Sequence, residues 1–218
     1  IAYDTIKNSF QSQNVVLLHG VTSSGKTEIY IQLINDALNA KKQVLYLLPE
    51  IALTTQIIQR LKMYFGEQVG VFHHKFNYHE RIELWQSVAS DDIDKNRYNI
   101  IIGTRSALFL PFSNLGLIIV DEEHDYSFKQ TDVAPRYNAR DAAIYLAYLC
   151  NAKVILGTAT PSIETYYNAE QERYGLVELT KRYLDLPLPE VHLINMSQDF
   201  KKKHGVYYIS NALKRAIQ

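Results

Sequence analysis

Short runs of successive apolar residues alternate with segments whose apolar positions recur every three or four residues. Residues 15–18, 44–48, 69–72, 99–102, 117–120 and 153–156 read as strands. Helical patterns run over 26–40, 53–65, 79–89, 138–150 and 162–170. Strands that are apolar at every position are buried on both faces, which is the signature of a mostly parallel sheet with helices on both sides. The pattern therefore predicts an α/β lobe over residues 1–183. Beyond it, 184–189 (Leu-Asp-Leu-Pro-Leu-Pro) reads as an extended connector, because each proline disfavours helix in the residue before it. A short apolar run at 191–194, a basic tract at 201–203 and a last helical pattern at 210–218 follow. These residues, 184–218, read as a linker and the start of a truncated second lobe.

Composition narrows this picture. Of 218 residues, 47% are hydrophobic and 21% charged, an ordinary globular balance. Formal net charge is zero, so contact with a polyanion has to be local rather than a property of the whole surface. The single cysteine, Cys150, excludes a disulfide within the chain and a cysteine-based zinc site. The chain has no run of 18 apolar residues and no basic-then-apolar leader, so neither a membrane span nor a signal peptide is predicted. It starts without methionine and ends inside a helical pattern, and is read as a segment of a longer protein.

Two motifs carry chemistry. Gly20, Val21, Thr22, Ser23, Ser24, Gly25, Lys26 and Thr27, with Glu28 following, match G-x-x-x-x-G-K-[ST] between a strand and a helix. Glycines let the backbone wrap a polyphosphate, and amides at the helix start face its charge. Lys26 suits the β- and γ-phosphates, and the Thr27 hydroxyl suits Mg²⁺. The second motif is Asp121-Glu122-Glu123-His124 at the end of an apolar strand. Asp121 is placed to hold the metal through water, Glu122 to orient and deprotonate an attacking water, and His124 to sense the γ-phosphate. Thr158 and Thr160, after another strand, are positioned to hydrogen-bond this acidic motif or to cap the next helix.

The segments 20–28, 47–54, 103–109, 121–125 and 157–162 together resemble superfamily 2 helicases. Residues 121–141 (Asp-Glu-Glu-His-Asp-Tyr-Ser-Phe-Lys-Gln, then Arg-Tyr-Asn-Ala-Arg-Asp) resemble more narrowly the PriA family of replication-restart helicases, also called primosomal protein N′. That resemblance implies a RecA-like first lobe, ATP and Mg²⁺ as cofactors, and 3′-to-5′ movement on single-stranded DNA. It also implies action at stalled or branched forks with other primosome proteins and single-strand-binding protein, in the bacterial cytoplasm and nucleoid. Family arginines from a second lobe, and zinc-binding cysteines, would lie outside this chain.

By the same resemblance, residues 126–137 would be an aromatic-rich loop coupling DNA to hydrolysis. Tyr126, Phe128 and Tyr137 are interleaved with Lys129, Gln130 and Arg136, a pattern suited to base stacking beside phosphate attraction. Val133-Ala134-Pro135 stands where the family leads one to expect a tryptophan. Arg105 and Ser106 suit a phosphate-backbone contact, with a buried ion pair as the competing reading of Arg105. Thr54, at a helix start, is a further phosphate-contact candidate. His73, His74 and His79 do not read as a metal site. Competing functions are a branch-migration or transcription-repair translocase, a nucleotide switch without motor activity, and a small-molecule kinase.

Overall fold

Seven strands form one parallel sheet: β1 (Val15–Gly20), β2 (Gln43–Leu47), β3 (Val69–Phe72), β4 (Ile100–Gly103), β5 (Leu115–Asp121), β6 (Lys153–Thr158) and β7 (Gly175–Leu179). Their order across the sheet is β3-β4-β2-β5-β6-β1-β7, and every described pairing is parallel. The computed structural model describes residues 1–49, 55–72, 78–90, 98–132, 134–182, 190–195 and 209–217.

The side chains of each strand alternate between two apolar cores, because successive residues point to opposite faces. Leu17, Leu45, Leu47, Ile118 and Val120 enter one core, where Leu84 and Val88 meet Ala139, Ala143 and Ala147. Val16, Leu18, Val44, Tyr46, Leu117 and Ile119 enter the other, with Ile6, Ile29, Ile34 and Leu61. Helices α1 (Ala2–Ser12), α2 (Lys26–Asn39) and α3 (Thr55–Phe65) cover the second face. Helices α4 (Tyr78–Ala89), α5 (Ala139–Cys150) and α6 (Ile163–Glu170) cover the first. This is the α/β architecture that the apolar runs predict. Helix α1 and strand β7 are additional to it.

The chain divides into two compact units, Ile1–Leu184 and Asp185–Gln218. The second contains α7 (Asn211–Ile217), whose first turn is capped by Ser210: its hydroxyl accepts from the Leu213 amide at 3.0 Å. Residues 190–195 carry no regular structure. The connector 184–189 and the basic tract 201–203 lie outside the described residues, as do Thr54, His73, His74 and Val133. Among the described residues no helix is long and apolar enough to cross a membrane, and no cluster of histidine, cysteine or acidic residues is arranged to hold a metal on its own.

Candidate nucleotide site and its acidic motif

Strand β1 ends at Gly20, and the chain turns through Val21–Ser24 into α2. Gly25, directly before that helix, has φ of 88°, a left-handed conformation that glycine adopts without a Cβ penalty. Ser23 shares the left-handed region at φ of 62°. The turn surrounds an open cleft of about 660 Å³ lined by Thr22, Ser23, Ser24, Gly25, Lys26, Thr27, Glu28, Arg60, Asp121 and Glu122. Lys26 Nζ donates to the Gly20 carbonyl at 2.8 Å, so the lysine is already folded over the loop. Ser24 Oγ is buried beside it with no protein partner. Arg60 of α3 pairs with Glu28 at the cleft wall. A left-handed glycine at a helix start, an orphaned hydroxyl and paired cation and carboxylates on one cleft fit a polyphosphate with a divalent cation.

Asp121 closes the opposite side. Its Oδ1 accepts from the Tyr30 hydroxyl at 2.9 Å and its Oδ2 from the Tyr46 hydroxyl at 3.1 Å. Both tyrosines are fully buried, and their rings meet edge to face at 5.6 Å. Burial first, and then the charge of Asp121, pushes both phenols well above their ordinary pKa, so they remain donors. Tyr30 reaches Asp121 across β6 at Gly157, where a Cβ would stand 1.7 Å from the tyrosine oxygen. Burial also raises the Asp121 pKa, while hydrogen bonds from both tyrosines and the charge of Lys26 pull it back. Glu122 is raised by burial and then by the neighbouring Asp121 charge, with Lys26 and His124 opposing. Its backbone is left-handed, with φ of 51°, a conformation that is retained only where the surroundings enforce it.

Glu123 turns the other way. The fully enclosed carboxylate accepts from Arg140 Nη1 at 3.1 Å, the Ser162 amide at 2.7 Å, the Ser162 hydroxyl at 3.1 Å and the Thr165 hydroxyl at 2.9 Å. Arg140 Nη1 also reaches Ser162 Oγ at 2.6 Å, and its Nε donates to Asp141 at 2.7 Å. His124 returns to the cleft side: its Nδ1 lies 2.7 Å from Thr158 Oγ1 and 3.7 Å from Glu122 Oε2, and its Nε2 lies 3.4 Å from Thr160 Oγ1. Thr158 is fully buried. Of its two sequence-based readings, contact with the acidic motif matches the geometry, while the cap of the next helix is Ser162, whose hydroxyl accepts from the Thr165 amide.

The candidate loop continues from this motif. Asp125 caps a 3-10 turn at Tyr126–Phe128 by accepting from the Ser127 amide at 2.8 Å. Arg105 Nη1 donates to the Ser127 carbonyl at 2.9 Å. It thus holds the turn through one nitrogen of its guanidinium, and no ion pair to it is found among the described residues. Ser106 is exposed in the neighbouring turn, Arg105–Phe109. Lys129 and Asn138 form an antiparallel bridge, and the Gln130 amide donates to the Tyr137 carbonyl at 2.9 Å. Lys129, Gln130, Thr131, Arg136, Tyr137 and Asn138 line a depression of about 410 Å³. Tyr126 is 71% exposed, but Phe128 is 1% exposed and belongs to the core. The reading of Phe128 as a base-stacking surface is therefore corrected: its ring packs inward. Phe109, not singled out from the sequence, is 67% exposed and meets Tyr137 edge to face at 5.4 Å.

Phosphate loop, acidic motif and seven-stranded sheet together define a P-loop lobe of helicase type. The chain belongs to the DEAD/DEAH box helicase family, whose model matches residues 1–169. Along its whole length it is similar to replication restart protein PriA of Chlamydia muridarum, at 45% identity over 218 residues, or 28% of that protein. Replication restart protein PriA of Chlamydia trachomatis is 44% identical over 219 residues, again 28% of its length. The chain thus spans about 28% of these curated relatives, and the resemblance carried by residues 121–141 is borne out. The structure of RecG bound to a three-way DNA junction matches with a TM-score of 0.57 at 21% identity, over 82% of this chain and 22% of that one. At that identity the likeness shows the fold, a RecA-like α/β lobe.

Proposed function

We propose that this chain is the ATP-binding first lobe of a 3′-to-5′ DNA helicase that couples Mg-ATP hydrolysis to movement on single-stranded DNA. The parent protein acts at stalled or branched forks in primosome assembly and replication restart, with other primosome proteins and single-strand-binding protein, in the cytoplasm and nucleoid. The observation that carries this reading is the convergence of Lys26, Asp121 and Glu122 on one cleft, with the loop at 126–138 following the same acidic motif in the chain. Family membership and the PriA relatives support it over a branch-migration or transcription-repair translocase.

Lys26 and the amides of 22–27 bind and orient the phosphates. Thr27 and Asp121 would hold Mg²⁺, which when bound supplies charge neutralisation to the phosphates. Glu122 orients and deprotonates the attacking water; its raised pKa keeps it a competent proton acceptor. His124, bridged to Thr158, reports on the γ-phosphate side of the cleft. Tyr126, Lys129, Gln130, Arg136 and Tyr137 are the DNA-facing candidates of the loop.

The test is ATP hydrolysis by the full-length protein with and without forked DNA. Strong stimulation by DNA is expected, and Lys26→Ala should abolish nucleotide binding in a fluorescent-nucleotide titration while the domain stays folded. Hydrolysis indifferent to DNA would instead point to a nucleotide switch.

A further inference from the structure

The loop at 126–138 leaves the acidic motif from one side and returns to it from the other. On the outgoing side it follows His124 and Asp125 in the chain. On the return side the Lys129–Asn138 bridge delivers it into α5, where the Asn138 side chain accepts from the Arg140 amide at 3.0 Å. Two residues into the helix region, Arg140 inserts its guanidinium, 10% exposed, against the enclosed carboxylate of Glu123. Glu123 is the backbone neighbour of both Glu122 and His124. The same carboxylate holds the Ser162 amide and the Thr165 hydroxyl at the start of α6, just beyond Thr158 and Thr160.

We propose that Arg140 is a positioning residue through which occupancy of the loop at 129–138 reaches Glu122; this rests on the helicase reading above. A shift of the loop moves Asn138 and Arg140 together, because the side-chain cap ties them. Arg140 moves Glu123, which accepts four hydrogen bonds and is enclosed on all sides. Glu122 is held in a left-handed backbone conformation between a clamped Asp121 and this clamped Glu123. A displacement on the Glu123 side is therefore felt as a change in where the Glu122 carboxylate points into the cleft. Arg140 itself touches neither cleft nor depression: it is absent from the residues lining either.

The experiment uses the intact protein, with Arg140→Lys and Ser162→Ala. Lysine keeps the buried charge but cannot span Glu123, Ser162 and Asp141 at once. Ser162→Ala leaves the Arg140–Glu123 pair in place and removes the hydroxyl they share. Three quantities are read: basal ATP hydrolysis, hydrolysis saturated with single-stranded oligothymidine, and affinity for that oligonucleotide by anisotropy. In Arg140→Lys the ratio of stimulated to basal rate should fall about tenfold, within the range that single changes along coupled networks produce, with basal rate and oligonucleotide affinity within about twofold of wild type. Ser162→Ala should lower the ratio in the same direction by less. An unchanged ratio, or equal falls in both rates, overturns the proposal. If Arg140→Lys does not fold, Ser162→Ala decides by the same criterion. A wild-type protein that DNA fails to stimulate overturns the helicase reading as well, whereas a stimulated wild type with unaffected variants overturns the positioning role alone.

Discussion

Asp121 and Glu123 stand two residues apart at the end of one strand, yet their surroundings are opposite. Asp121 faces the cleft and is held by two neutral phenols, Tyr30 and Tyr46. Glu123 faces inward and is held by a cation, Arg140, together with two hydroxyls and an amide. Neutral donors orient a carboxylate while leaving its charge available to a ligand cation. A fixed guanidinium neutralises the charge and withdraws the group from any ligand cation. The chemistry of the motif is thus set by the partners of each carboxylate rather than by the acids themselves.

The comparison can be broken most directly at Glu123. Glu123→Ala strands a buried guanidinium and should destabilise the lobe by about 3–5 kcal/mol in urea denaturation; a cost below about 1 kcal/mol would remove its structural assignment. On the same inward side, Phe128→Ala should cost about 3–5 kcal/mol as a core truncation, whereas exposed Tyr126→Ala should stay within about 0.5 kcal/mol. Equal melting losses would contradict the division of these two rings. On the cleft side, Tyr30→Phe removes one hydrogen bond to a charged group and should cost about 1.5 kcal/mol, with a raised Mg²⁺ requirement for nucleotide binding as its functional mark. The smallest effect concerns pH. Burial raises the pKa values of Asp121 and Glu122 on folding, so the folded chain binds these protons more tightly than the unfolded one. Their stabilising contribution is complete below the ordinary carboxylate range and is lost as pH rises through the raised values. Asp121→Asn should therefore melt later than wild type at pH 8, with the gain shrinking as pH falls and vanishing only below about pH 3; a gain independent of pH would show that ionisation is not its cause.

Parts of this molecule are local in the sequence and parts are not. The central strands β1, β5 and β6 are legible because burial on both faces makes them continuously apolar. Strand β7 sits at the sheet edge with alternating burial and so lacks a continuous apolar run, whereas α1 does carry helical spacing, through Tyr3, Ile6 and Phe10. The phosphate loop is one contiguous motif and reads directly. The Glu123 cluster does not, since Arg140, Ser162 and Thr165 lie 17, 39 and 42 residues away and only the fold brings them together. Its faint signal is an acid with no chemical task inside a motif whose neighbours have one. Phe128 misleads for a geometric reason. In a 3-10 turn residues i and i+2 point to different sides, so Tyr126 and Phe128 cannot share one surface.

The ladder register has a consequence for timescale. Asp121 lies opposite Gly157 and His19 opposite Thr158, so the phosphate loop, the acidic motif and the Thr158–Thr160 turn follow neighbouring strands of one buried sheet. The amides within β1, β5 and β6 themselves should exchange with solvent deuterium only when the centre of the sheet opens, among the slowest events in the lobe. The amides of 129–132 and 136–138, joined among the described residues by the Lys129–Asn138 bridge and lying at the surface, are expected to exchange far sooner. A brief deuterium pulse should label the loop amides while leaving those of the central strands protonated, so the two regions keep separate clocks.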